Sequence, residues 1–322
     1  MKASKYYIFL SAALLALSLT ACRKETLSPD SVIVSNETVK NEFDSWLEMN
    51  YLIPYNIQVK YRYDIRETGY SSYTVPAEYD NSVVLAHLVK YLCIDVYDEV
   101  AGIRFTQSYF PKMFVYYGEW VYNSGGSYTR GSAEGGKKII LYGVNHVDEC
   151  VTNVDNLRTT FIPTIHHEFM HILNQVKDFP TEFSQITPGD YVTSSWNKDP
   201  YSSPSYFRPH GFISTYSQMS DREDMAEMLS QFVMYPQEWW DDRMEESVEY
   251  EKDDSGAFIL DENGEKKIVL DGRPAIQAKL DIMRTYLKDS FNVDLDMLRA
   301  SIQRRLAEIA GGKVDLESLS ID

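Results

Sequence analysis

Apolar and polar residues recur along this chain with two different periods, which divide it into helices and strands. Val39, Phe43, Trp46 and Leu47 stand at helical spacing and predict a helix over residues 37–51. Ile57, Val59, Tyr61 and Tyr63 alternate with other residues, the signature of a strand. Leu85, Leu88, Leu92 and Val96 predict an amphipathic helix over 82–100, and strands are expected near 113–117 and 138–144. Phe161, Ile165, Phe169 and Ile172 mark a helix over 157–176, with Pro163 in its first turn or at a kink. A proline-rich irregular stretch follows at 178–210, and helical periodicity returns at 220–234. Two apolar runs in 257–270 flank Asn263-Gly264, a hairpin signal, before two amphipathic helices at 273–289 and 293–309 close the chain. Strands interspersed with helices and followed by helices alone describe an α+β domain.

The first apolar run is of another kind. Residues Tyr6 to Leu19 follow Lys2 and Lys5 and end in Leu19-Thr20-Ala21-Cys22. That is a secretory signal, too short to span a bilayer comfortably. A cysteine directly after Leu-Thr-Ala resembles the bacterial lipobox, so cleavage before Cys22 and acylation of its sulfur are expected. The chain thus reads as a signal peptide (1–21), a polar lipidated tether (22–36) and one domain (37–322), anchored in the cell envelope. Cys93 and Cys150 remain, and their spacing decides nothing between a disulfide and two free thiols.

The formal charge is −17, and loss of residues 1–21 removes two lysines and no acid, giving −19. Such a balance excludes nucleic acid as a partner and would steer basic peptides toward the surface. The glycine-rich segment 125–136 almost spells a phosphate-binding loop at Gly131 to Lys137. However, Lys138 stands where a hydroxyl is required and Glu134 has the wrong charge, so turns between strands are expected.

Chemistry concentrates in His167-Glu168-Phe169-Met170-His171. On a helix, residues i and i+4 lie about 40° apart around the axis and about 6 Å along it, so both imidazoles can reach one Zn²⁺ with Glu168 beside them as general base. A catalytic zinc needs a third protein ligand. Asn174 and Lys177 occupy the positions where one known pattern places a glycine and a histidine, which excludes that solution. His210 and Glu182 sit in irregular chain. Glu223 and Glu227 are four apart on the helix predicted at 220–234, backed by Met225, Met228, Leu229 and Phe232. Glu223 is the leading candidate for the third ligand, with Glu227 orienting a ligating histidine through its other ring nitrogen. His166 lies about 100° around the helix from His167 and is expected to pack. His87, His146 and the Trp239-Trp240 pair are likewise assigned to structure.

HEFMH, followed by Tyr216-Ser-Gln-Met-Ser-Asp-Arg-Glu223-Asp-Met-Ala-Glu227, resembles the gluzincin peptidases, most closely the catalytic domain of anthrax lethal factor. The broader resemblance is to the substrate import-associated zinc metallohydrolase lipoproteins encoded beside TonB-dependent importers. It extends through Pro54 to Tyr61, Glu134 to Tyr142, Gly211-Phe212 and Leu298-Arg299. It implies a small, mostly antiparallel sheet packed on the HExxH helix, with a helical C-terminal part. It also implies a lipid-anchored outer-membrane metallopeptidase with one Zn²⁺, held by His167, His171 and Glu223. Glu168 would serve as the base, Tyr216 as donor to the oxyanion, and residues 138–144 as the strand that pairs with a peptide. The implied partners are peptide or protein substrates, the membrane and an importer with its accessory lipoproteins. A rival assignment is a non-catalytic accessory lipoprotein that binds substrate or partners and uses zinc only for structure.

Overall fold

The computed structural model describes residues 39–67, 73–122, 128–134 and 136–321; the signal peptide and tether expected from the sequence, with Cys22, lie outside them. Residues Asn41–Asp322 form one compact unit. Helix α1 (Glu42–Leu47) begins at a capping box, in which Asn41 Oδ1 accepts from the Asp44 amide and Asp44 Oδ2 from the Asn41 amide. Phe43, Trp46 and Leu47 enter the core as expected, while Val39 precedes the helix and is exposed. One wide π-helical turn carries the helix on to Tyr55, where Asn56 at φ 54° ends it and releases strand β1 (Gln58–Lys60).

Helix α2 (Tyr79–Val89) runs through a second π-helical turn into a helix at Asp95–Ala101. Leu85, Leu88, Leu92 and Val96 are all fully buried there. Strands β2 (Met113–Tyr116), β3 (Val121–Tyr122), β4 (Tyr128–Thr129), β5 (Gly131–Glu134) and β6 (Lys138–Leu141) follow. The main sheet has the order β1-β2-β6-β5, and β3-β4 is a separate hairpin.

Strand direction corrects the expectation of a mostly antiparallel sheet. β1 pairs with β2, and β2 with β6, in parallel; only β5 runs against β6. Parallel neighbours need long crossovers, and the chain supplies them as the helical segment between β1 and β2 and the excursion between β2 and β6. Alternation along a strand carries no sign of its direction. Its absence does: Ile139, Ile140 and Leu141 form a continuous apolar run, with Ile139 and Leu141 in one core and Ile140 in another, as in strands covered on both faces.

Helix α3 (Phe161–Val176) buries Phe161, Ile165, Phe169, Ile172 and Leu173, and Pro163 sits in its first turn, where the missing N–H costs nothing. Helix α4 (Asp221–Met234) packs against it. Strands β7 (Val248–Tyr250) and β8 (Ile268–Asp271) form the main ladder of the late hairpin. The turn at Asn263-Gly264 closes an inner arm through the Leu260–Lys266 bridge, with Gly264 at φ 81°. Helices α5 (Arg273–Phe291) and α6 (Leu295–Ala310) complete the fold. Cys93 and Cys150 are both buried and free. No helix among the described residues is long and apolar enough to cross a membrane.

One ion pair is wholly interior. Lys279 of α5 reaches Asp224 of α4 at 2.7 Å, and both side chains have 0% exposure. Lys279 also donates to the Gly211 carbonyl at 2.8 Å and lies 4.0 Å above the Phe212 ring, while Tyr191 donates to Asp224 at 3.1 Å. Removing one member strands the other charge, so Lys279→Met should cost roughly 3–5 kcal/mol in denaturant unfolding. The double variant Lys279→Met/Asp224→Leu should recover most of that loss. Arg284→Ala, which breaks pairs with the exposed carboxylates of Asp281 and Asp296, should cost only about 1 kcal/mol.

Candidate metal centre

Helix α3 is divided lengthwise. Its apolar stripe faces the core, and Thr164, His167, Glu168 and His171 form the stripe that lines a cleft of about 870 Å³. Met170 is fully buried on the core side. Helix α4 repeats the division, with Met225, Met228, Leu229 and Phe232 inward and Glu223, Glu227 and Gln231 on the cleft. Ser220 caps α4 by accepting from the Glu223 amide at 3.3 Å. A Ser-x-x-Glu box would ordinarily send the glutamate back to the cap residue. Here the Glu223 carboxylate is directed at the two histidines of α3.

Three donor atoms converge as a result. His167 Nε2 lies 3.0 Å from Glu223 Oε2, His171 Nε2 lies 3.2 Å from the same oxygen, and the two imidazole nitrogens are 3.1 Å apart. Ligands at ~2.0–2.1 Å around a tetrahedral Zn²⁺ are separated by ~3.3 Å. The triangle has the dimensions and the N₂O donor chemistry of such a site, and its three residues form a group able to hold a metal ion. It also needs a cation. A positive charge, carried by a metal ion or by a proton on an imidazole, has to lie between these nitrogens and the carboxylate, and the other ring nitrogen of His167 is committed to Glu227 Oε1 at 2.9 Å.

The electrostatics agree. Burial disfavours a charged His167, but hydrogen bonds to Glu223 and Glu227 overcome it and push the imidazole pKa up to about 10. Burial likewise raises Glu223, yet the two histidines hold it at about 2. Glu227 is lowered, because His167 and the Ser214 hydroxyl outweigh its burial. The site therefore presents fixed negative charge to whatever cation enters. Glu168 lies beside the triangle on the cleft wall. The Tyr216 ring is 5.9 Å from that of His167, centroid to centroid. Burial, and then the charges of Glu223, Glu227 and Glu168, raise the Tyr216 pKa and keep its hydroxyl protonated.

All the residues proposed from sequence for this site, His167, Glu168, His171, Tyr216, Glu223 and Glu227, line the one cleft. The discarded ligands are elsewhere: His210 stacks on Tyr206 and bonds its carbonyl, and Glu182 is exposed. His166 is fully buried against the Tyr97 hydroxyl at 3.1 Å, and burial lowers its pKa to about 4. Sequence reasoning missed the residues that position Tyr216. Trp196 meets its ring edge-on at 4.9 Å, and the Thr215 hydroxyl bonds the Trp196 carbonyl at 2.7 Å. Gln218 ties the loop together through the Tyr201 and Thr215 carbonyls. No local periodicity announces such contacts.

A family model described as "putative zinc-binding metallo-peptidase" matches residues 36–296. A crystal structure from Bacteroides caccae, described in the same words, is 36% identical, covers 90% of this chain and 100% of its own, and superposes with a TM-score of 0.69. No curated protein matches. Glu223→Ala is expected to abolish stoichiometric metal in the purified protein. Glu227→Gln should keep the metal but weaken its affinity about 10–100-fold in chelator competition, because the His167 ring loses its ionic anchor.

Proposed function

This chain belongs to the zinc-binding metallo-peptidase family, and from that premise we propose that it is a peptidase of the gluzincin type with one Zn²⁺ held by His167, His171 and Glu223. The observation that carries this reading is the convergence of those three side chains with Glu168 on the cleft wall and Glu227 behind His167. Zinc in this position would supply Lewis acidity, lowering the pKa of a water toward ~7.

The chain's own residues supply the proton traffic. Glu168 takes the proton of the attacking water and returns it to the leaving amine. Tyr216, protonated for the reasons above, donates to the oxyanion of the tetrahedral carbon. Glu227 keeps the proton of His167 on Nδ1, which leaves Nε2 free to ligate. An extended peptide can add to the sheet only at a free edge. The strand expected for this role, β6, lies between β2 and β5. The role passes to β5, whose Gly131 and Ser132 line the cleft. A Cβ at Gly131 would come within 2.8 Å of Thr164 and 3.0 Å of the Ile140 carbonyl, so glycine is what lets β5 approach α3 so closely.

Glu168→Gln should retain zinc and fold, yet lower kcat on a broad peptide library about 10²–10⁴-fold. Tyr216→Phe should lower it about 10²-fold or more with little change in KM. Equal degradation by zinc-loaded wild type and Glu168→Gln would instead favour an accessory binding protein with a structural zinc.

We further propose that the domain is held at the outer membrane by a lipid on Cys22, beside an importer whose substrate it processes. The support is the Leu19-Thr20-Ala21-Cys22 sequence and the resemblance to import-associated lipoproteins. The full chain should partition into detergent and Cys22→Ser into the aqueous phase; identical partitioning would reject the anchor.

A further inference from the structure

The cleft does not end at the metal site. Beyond Thr164 it continues past the start of α3 to Arg130, Arg158, Tyr128 and Tyr235. From Thr160 to His167 the helix rises ~10 Å, which about three residues of an extended chain would span. The acids on the cleft wall, Glu168, Glu223 and Glu227, all belong to the metal end; among the described lining residues the far end contributes none.

Both arginines there have charge to spare. Arg130 is exposed and, among the described residues, donates only to neutral oxygens, the Thr159 carbonyl and the Tyr128 hydroxyl. Arg158 gives Nε to the Met234 carbonyl at 3.2 Å and Nη1 to Asp155, whose side chain is 81% exposed and whose charge is largely screened by water. The first turn of α3 opens on the same space without an acidic residue or a side-chain cap. Tyr235 registers the field: burial raises its pKa, Arg158 acts to lower it, Asp155 partly offsets that, and Arg130 and Arg243 again act to lower it. This end of the cleft is positive in a chain of formal charge −17. At physiological salt the Debye length is about 8 Å, so a bound group responds to these nearby guanidinium groups more than to the distant surface.

β5 sets the direction of a bound chain. It runs from Gly131, next to Arg130, toward Glu134, so an antiparallel peptide on its free edge has its C-terminal end at the arginines. We infer that Arg130 and Arg158 form a subsite for a substrate carboxylate, an Asp or Glu side chain or the chain's own C-terminus, about three residues to the C-terminal side of the scissile bond. The inference rests on the peptidase reading for the meaning of "scissile", but the charge preference is measurable without turnover. It also opposes the steering of basic peptides suggested by net charge.

The test uses zinc-loaded Glu168→Gln protein and N-acetylated octa-alanine peptides. These carry one Glu, or Gln in its place, at each position in turn, each as free acid and as amide. Glu over Gln at one or two adjacent positions, or acid over amide, should bind about tenfold tighter. The first result identifies a side chain as the ligand and the second the terminus. With Arg130→Gln, checked for an unchanged melting temperature, the preference should fall to about one; Arg130→Lys should retain part of it, and Arg130→Glu should reverse it. No preference, no binding by any peptide, or a preference untouched by Arg130→Gln overturns the inference. Acid-selective binding to a wild-type protein that cleaves none of the peptides would overturn the peptidase reading alone, and cleavage without selectivity would overturn this inference alone.

Discussion

The interior of this protein has to accommodate three carboxylates on one helix, and much of its architecture follows from their neutralisation. Burying an unpaired charge costs several kcal/mol, which no domain of ordinary stability can bear three times over. Glu223, Asp224 and Glu227 nevertheless all point inward or into a deep cleft from α4. Asp224 is balanced by Lys279 on one side of the helix. On the other, Glu227 is balanced by His167, and Glu223 by the histidine pair. Helix α4 is therefore held between α5 and α3 by opposite charges, and its rotation about its own axis is determined by where those charges lie.

The ends of α4 are secured as well. Ser220 takes the Glu223 amide at the N-terminus. At the C-terminus, Gln303 reaches the Val233 carbonyl, Arg158 that of Met234, and Arg299 that of Tyr235. These long side chains come from two separate parts of the chain, Arg299 and Gln303 from α6 and Arg158 from the turn before α3, and satisfy carbonyls that the helix cannot satisfy itself. A helix fixed in rotation and along its axis can hold a carboxylate within a few tenths of an ångström of the geometry that a small cation requires. The cleft and the core thus share the same elements, and Arg158 belongs to both: it caps α4 while lining the cleft.

The long segment between α3 and α4 shows how irregular chain becomes precise. Residues 178–210 offer no periodicity, yet Gln218, Thr215 and Trp196 fold the segment onto itself and bring Tyr216 against His167. Its proline content signals that long helices and strands are excluded, but not that short helical turns such as Thr181–Ser184 and Pro204–Phe207 take their place. The contacts that fold the segment join residues about twenty apart, and each is an ordinary side-chain hydrogen bond without a motif of its own.

What the sequence determined by itself is local. The helices at 82–100, 157–176, 220–234, 273–289 and 293–309 form close to their expected bounds, because an apolar stripe at helical period can be buried only by a helix. The spacing of His167 and His171 is equally local: one turn of helix places both imidazoles on one side wherever the helix lies. Tertiary structure decided the rest, because each remaining feature joins residues distant in sequence. It brought Glu223 to the histidines across about fifty residues and paired β1, β2 and β6 in parallel through crossovers that alternation cannot record. It joined Lys279 to Asp224, though either would read as a surface charge on its own helix. It also placed β5 at the edge and β6 inside, and gathered two arginines at the end of a cleft in an acidic chain. Periodicity gives the burial of a face; only packing selects which face it meets.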